Sequence, residues 1–350
     1  MINKLVKRLF EEKLFLIILF FLLVSSIILK RIPQYNFADV EVVYTLFVFL
    51  IIINGLSKSG LFDEIAINLG NKRFINQKLL IFTALLSIFI TNDVALLTII
   101  PITLILIKEN IEEMIILETM MANTFSSLTP FGNPQNIFIY YFYHLHPIEF
   151  IKSIFPFSLT FFILIIIFSS RLKNHKYENQ TLAKTRDKKG ILYLLFFILF
   201  ILAILRLIPL ETGILIILYV ILFDRKKLKI DYFLLLTFIV FFGFTDNLMH
   251  AFKFSLNSSN QVFFYSLLGS QVISNVPSAL LFADFSSNWK ALLWGVSAGG
   301  LGTIIGSLAS LIAYRLYYEK HKKYKSYLIK FHIFNISALI LSIILFLIIF

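Results

Sequence analysis

The sequence predicts an all-α polytopic membrane protein built from two inverted-topology repeats, each with a re-entrant hairpin and an interrupted transmembrane helix. Three observations carry this expectation. Of 350 residues, 59% are hydrophobic and only 15% are charged, whereas soluble domains carry about 25% charged residues. The apolar residues gather into runs that suffice for roughly nine or ten membrane segments of about 20 residues. The net charge of +12 lies mostly in short loops between those runs. That distribution marks a membrane protein with basic cytoplasmic loops and argues against nucleic acid as a partner. The chain has no cysteine, which excludes disulfides, thiolate metal sites and cysteine nucleophiles.

The elements follow in chain order. Residues 14–29 are apolar behind a basic start, and no small-residue cleavage site follows them, so they read as a retained span rather than a signal peptide. Further apolar segments fall at 40–56, 79–107, 111–143, 148–170, 191–205, 211–223, 232–249, 255–283, 288–314 and 327–350. Two of these are unusual. Residues 79–107 hold one charge, Asp93, in 29 positions, and a straight helix of that length would measure about 43 Å against a hydrocarbon core of about 30 Å. Residues 254–283 have no charge yet include Asn257, Ser258, Asn260, Gln261, Gln271, Ser274, Asn275 and Pro277. Each is either one long tilted span or a hairpin that enters and leaves on the same side.

Loop charge favours hairpins. With the N-terminus inside and both segments re-entrant, 26 of the 32 basic residues become cytoplasmic, as the positive-inside bias requires. Lys30 and Arg31 are exceptions on the outer side. The element order then repeats in inverted direction. Residues 1–170 form a first repeat (hairpin 79–107, broken helix 111–143), and 171–210 supply a basic cytoplasmic loop and a linking helix. Residues 211–350 form a second repeat (hairpin 255–283, broken helix 288–314). Inverted repeats of this kind belong to secondary transporters with alternating access.

The hairpin tips carry the chemistry. Thr91-Asn92-Asp93 interrupts an apolar run, and an unpaired charge at membrane depth costs at least about 2.5–3.5 kcal/mol. Asp93 must therefore line water, bind an ion, take a proton, or act as structural glue to another helix. Ser274-Asn275-Val276-Pro277 is the matching tip, where Pro277 is expected to free a carbonyl and make the break. In the first interrupted span, residues 126–136 contain Pro130, Gly132 and Pro134 and cannot stay helical. In the second, residues 297–307 hold four of the 13 glycines, which suit either a binding loop or close helix packing. Broken backbone at membrane depth is tolerated only inside protein or beside water. Glu118 and Asn123 precede the first break as a proton carrier or helix contacts. Thr245-Asp246-Asn247 reads as a solvated cap. His144 and His146 lack a third ligand for zinc.

Thr91-Asn92-Asp93-Val94-Ala95-Leu96 with Pro101, and Thr129-Pro130-Phe131-Gly132-Asn133-Pro134-Gln135-Asn136, resemble the arsenite permease/anion permease branch of the ion transporter superfamily, related to citrate transporters and divalent anion–sodium symporters. The resemblance spans nearly the whole chain. It implies two inverted repeats whose hairpins meet at a midplane site, often in a homodimer with elevator-like movement. Sodium–dicarboxylate members carry Ser-Asn-Thr at both tips; here Asp93 and Val276 depart from that pattern.

The resulting expectation is a secondary active transporter of a small anionic solute in a bacterial-type cytoplasmic membrane, coupled to H⁺ or Na⁺, with no other cofactor. The expected site is Thr91, Asn92, Asp93, Thr129, Gly132, Asn133, Gln135, Asn136, Ser274, Asn275, Gly302 and Thr303. Asn92, Asp93 and Asn275 would ligate Na⁺. An arsenite-type efflux carrier, a cation/proton antiporter and an ion channel are the competing readings. No phosphate-binding loop is present, and an intramembrane hydrolase would need an Asp dyad that only Asp93 and Asp246 could form. The topology is testable: in intact cells, Lys184→Cys should resist an impermeant thiol reagent, and external labelling would overturn the two-hairpin arrangement.

Overall fold

The computed structural model describes residues 13–61, 74–107, 109–172, 189–252, 255–321 and 325–350. Among them the chain forms fifteen α-helices and two 3-10 turns, with no strand. The basic loop containing Lys184 lies outside the described residues. Among the described residues four helices are long and apolar enough to cross a membrane, α2 (Phe37–Ser57), α7 (Pro147–Ser169), α10 (Tyr232–Ala251) and α15 (Lys325–Ile349). Burial is inverted relative to a soluble protein. Phe20, Ile198, Leu215 and Ile333 face outward, while Glu118, Asn136, Asn247 and Asn335 are fully buried. Such an exterior suits hydrocarbon, and the protein is a multi-pass membrane protein.

Helix starts follow local chemistry. Asn36 and Asp39 form a capping box on α2, and the side chains of Asn288 and Ser258 cap α13 (Trp289–Gly299) and α11 (Ser259–Ile273). These side-chain oxygens satisfy N–H groups that a first helical turn leaves free. Pro147 begins α7 at a position whose N–H would be unpaired anyway.

The segment expected at 79–107 is two helices, α3 (Ile75–Phe89) and α4 (Asn92–Leu106), packed on each other across a two-residue turn. Each has 15 residues, about 22 Å, too short to cross a core of about 30 Å. The segment at 255–283 is α11 and α12 (Asn275–Ala283), likewise packed together. Here the break differs from expectation. It falls at Ser274, with φ of 74°, and Pro277 lies in the first turn of α12, where its missing N–H has no helical partner to lose.

The two interrupted spans are α5 (Ile111–Ser126) with α6 (Pro134–Phe142), and α13 with α14 (Leu308–His321). Helix α14 continues past the apolar run into an exposed Arg315–Glu319 pair. The hairpin arms cross between halves, since α4 packs on α14 and α12 packs on α6. Around them α1 (Lys13–Leu29) lies along α10, and α2 contacts α8 (Gly190–Ile204) and α9 (Thr212–Phe223).

The reading of Thr245-Asp246-Asn247 changes. Asp246 is no solvated cap: its carboxylate accepts from the Arg31 guanidinium at 2.7 Å and from the Gln34 N–H at 2.8 Å. Asn247 is buried and donates to Ser25 and Ser26 of α1. The ion pair also accounts for Arg31, one of the two basic residues that stood apart from the loop-charge pattern.

Part of the glycine-rich second half serves packing. A Cβ on Gly295 would lie 2.0 Å from Ser266 Oγ, and one on Gly299 would lie 2.4 Å from Ser270 Cβ. Small residues four apart on both α11 and α13 thus let the backbones approach closely. Gly295→Leu should lower the thermal midpoint of the detergent-solubilised protein, with overpacking costing about 1–3 kcal/mol or more. An unchanged midpoint would show that this contact is dispensable.

Candidate functional site

The four breaks create four helix finishes and four helix starts. Helices α3, α5, α11 and α13 end at them with carbonyls, and α4, α6, α12 and α14 begin there. Helix ends carry partial charges of roughly half a unit, positive at starts and negative at finishes.

Asn123 of α5 joins them. Its Oδ1 accepts from Asn92 Nδ2 at the first hairpin tip (2.9 Å) and from Ser307 Oγ before α14 (2.9 Å). Its Nδ2 donates to the Gly300 carbonyl (3.2 Å) and to Ser310 Oγ of α14 (3.3 Å). Asn275, at the second tip, adjoins the same place: a Cβ on Gly300 would lie 3.3 Å from the Asn275 amide nitrogen and 3.9 Å from Asn123 Cβ. Asn92, Asn123 and Asn275 are all buried.

Each break is tied to the hairpin of its own half. Thr129 Oγ1 donates to the Ile88 carbonyl at 2.8 Å, and Thr303 Oγ1 donates to the Gln271 carbonyl at 3.3 Å. Ile88 and Gln271 each stand three residues before the tip hydroxyl, Thr91 or Ser274. Side-chain amides then replace lost helical turns. Asn136 Nδ2 donates to the carbonyls of Ser126, Ser127 and Thr129, while Asn133 Oδ1 caps the Asn136 N–H at 2.9 Å. Gln271 donates to the Gly299 and Leu301 carbonyls and accepts from the Thr303 N–H at 2.8 Å. Gly132 and Gly302 are required locally. A Cβ at Gly132 would meet the Ser126 carbonyl at 2.0 Å, and Gly302 has φ of 94°, a left-handed value that glycine adopts without strain.

Of the expected residues, Asn92 and Asn275 are brought directly to the Asn123 node. Ser274 adjoins it through the Gly306 carbonyl (3.4 Å). Asn133 reaches it through Ser126 Oγ, which donates to the Asn123 carbonyl. Thr129, Asn136, Gly132, Gly302 and Thr303 shape the breaks. Thr91 and Gln135 are buried near the two breaks of the first half. Asp93 is half-buried beside Asn92, and its carboxylate pairs with no described residue. Ser307, Ser310 and Gln271 are further participants that motif reading did not single out as site residues. Among the described residues no group of three His, Asp or Glu side chains could hold a metal ion. A separate cavity of about 690 Å³ lies between α2 and α10, lined largely by apolar residues with Tyr35, Asp39, Tyr44 and Tyr232.

An all-helical membrane fold with convergent broken helices around buried amides is the architecture of a membrane transporter rather than an enzyme. A family model described as citrate transporter matches residues 9–296, and the chain belongs to that family. It is similar to an uncharacterized transporter of Methanocaldococcus jannaschii, with 34% identity over 307 residues covering 83% of this chain and 84% of the relative. It is also similar to the inner membrane protein YbiR of Escherichia coli, with 29% identity over 333 residues covering 86% and 85%.

Replacing Asn123 by alanine would leave the Asn92 amide, the Gly300 carbonyl and two serine hydroxyls without their partner. Each buried unpaired group costs about 1–3 kcal/mol. Asn123→Ala should therefore destabilise the protein markedly, whereas Asn92→Ala and Asn275→Ala should express normally and lose uptake. Wild-type uptake kinetics in both single variants would reduce these asparagines to packing.

Proposed function

We propose that this chain is a secondary active transporter of a small anionic solute, coupled to H⁺ or Na⁺, with alternating access around the Asn92–Asn123–Asn275 site. The observation that carries the reading is Asn123, which bonds Asn92 at the start of α4, the Gly300 carbonyl at the end of α13, and Ser307 and Ser310 at the start of α14. N–H groups at helix starts suit carboxylate or oxyanion oxygens, and carbonyls at helix finishes suit a cation. The family description, citrate transporter, supports a citrate-like carboxylate as solute. The parallel bonds Thr129 to Ile88 and Thr303 to Gln271 support two inverted repeats as the halves that exchange between inward-open and outward-open forms. The reading includes a cytoplasmic membrane location, a cytoplasmic N-terminus and a homodimer.

Coupling follows from Asp93. An anion at the tips would face this carboxylate with no basic partner paired to it. Two like charges about 4 Å apart repel by about 4 kcal/mol at an effective dielectric of 20. A proton or Na⁺ on Asp93 removes that repulsion, which makes solute affinity depend on the co-ion.

Asp93→Asn should keep measurable solute binding and lose its dependence on pH or Na⁺. The measurement is uptake and affinity in proteoliposomes across citrate and oxyanion panels, with pH and sodium varied independently. Equal co-ion dependence in variant and wild type would remove Asp93 from the mechanism. No saturable uptake of any anion under any gradient would overturn the functional reading.

A further inference from the structure

A second ionisable group lies behind the tips and takes no part in the site described. Glu118 of α5 is fully buried. Its Oε1 accepts from Thr103 Oγ1 of α4, and its Oε2 has no hydrogen-bond partner. No lysine, arginine or histidine among the described residues pairs with it. Tyr327 of α15 is equally buried, its hydroxyl without a hydrogen-bond partner. The two atoms do not bond each other, and each lies in a dry interior.

An ionised carboxylate with a single hydroxyl donor and no cation is among the costliest groups to bury. A neutral carboxylic acid is different, because it has an O–H that can donate. The proton would reside on Oε2, leaving Oε1 as acceptor for Thr103.

The surroundings fix the side from which this proton exchanges. Glu118 lies two turns into α5, whose first turn carries Glu112 and Glu113. Tyr317 of α14 stacks on Tyr327 with ring centres 4.8 Å apart and donates to Glu112 at 2.7 Å. Lys330 bridges Glu112 and Glu113 at 2.8 and 2.7 Å, and its side chain is 37% exposed. His321 stacks on the far side of this group, against Tyr317. Helix α14 also carries the exposed Arg315–Glu319 pair and Lys320, which donates to the Leu104 carbonyl at 2.6 Å. The charged residues of α3, α7 and α13 stand near their helix starts: Lys78, Glu149 and Lys152, and Lys290. Asp93 stands in the first turn of α4, at the opposite end of that helix from Thr103.

We propose that Glu118 is a proton-binding site on the cytoplasmic flank of the solute site. The proposal rests on the transport reading for its role in coupling, but the protonation itself does not. Helices α4 and α5 are cross-linked twice, by Asn92–Asn123 at the tip and by Thr103–Glu118 nearer the cytoplasm. Loss of the proton to the cytoplasm leaves an anion with one hydroxyl donor and no cation at the lower link, so the hairpin arm responds to cytoplasmic pH.

Infrared spectra of the full chain in lipid vesicles test this directly, in H₂O and D₂O and in an Asp93→Asn background that removes the other carboxyl near the tips. A carboxylic C=O band that shifts in D₂O should be present, lost in Glu118→Gln and restored in Glu118→Asp. With Asp93 in place, Glu118→Gln should flatten the pH dependence of uptake, and Glu118→Asp should restore it. Identical spectra for the Asp93→Asn protein with and without Glu118→Gln would overturn the proton site. Because the spectra need no solute, absent uptake would count against the transport reading alone, and the band would still decide whether Glu118 holds a proton.

Discussion

The structure depends on one constraint: a helix broken inside a low-dielectric interior must find partners for the N–H and C=O groups it frees. Water cannot supply them in hydrocarbon. Here side-chain amides do. Asn136 takes three carbonyls of the first break, Gln271 takes two carbonyls and one N–H of the second, and Asn123 links both. An amide is suited to this role because one side chain offers two donors and an acceptor with two lone pairs. Glycines at 132 and 302 then let backbone approach or turn where a Cβ could not stand.

This solution ties local geometry to global arrangement. Asn123 bonds to groups 31, 177, 184 and 187 residues away, so the two halves cannot drift independently at the tips. The crossing arms reinforce the tie, α4 on α14 and α12 on α6. Close packing of α11 on α13 through Gly295 and Gly299 holds the second hairpin against its own broken helix. Thr129 and Thr303 give each break a fixed position relative to its hairpin. Any movement between access states must therefore carry tips and breaks together, or exchange these bonds for equally good ones.

What could be read in the sequence was what a residue does to its own backbone. Pro130, Gly132 and Pro134 exclude a helix whatever surrounds them, so the first break was legible. Asp93 and the tip asparagines stood out because polar residues in an apolar run demand an explanation. Partners distant in sequence were not legible. Asn123 sits at an ordinary helical position, and nothing nearby announces that Gly300, Ser307 and Ser310 will meet it. Asp246 read as a solvated cap because Arg31 lies 215 residues away. Pro277 misled for a related reason: proline marks the start of a helix as readily as a break, and only the left-handed Ser274 decides between them.

Under the proposed function, binding at the tips without a paired basic residue has a consequence for release. A fixed guanidinium would hold an anion in every state of the cycle, and release would have to overcome that attraction each time. Helix starts carry only about half a unit of charge apiece, and several of them can share one solute without any single strong bond. Binding built this way is weak enough to be conditional. Carboxylates nearby supply the condition, since an unneutralised Asp93 opposes the solute and a neutralised one does not. A ligand shifts a conformational equilibrium only by its differential affinity for the two states. Partial charges at moving helix ends, gated by a titratable group, provide that difference without a permanent counter-ion.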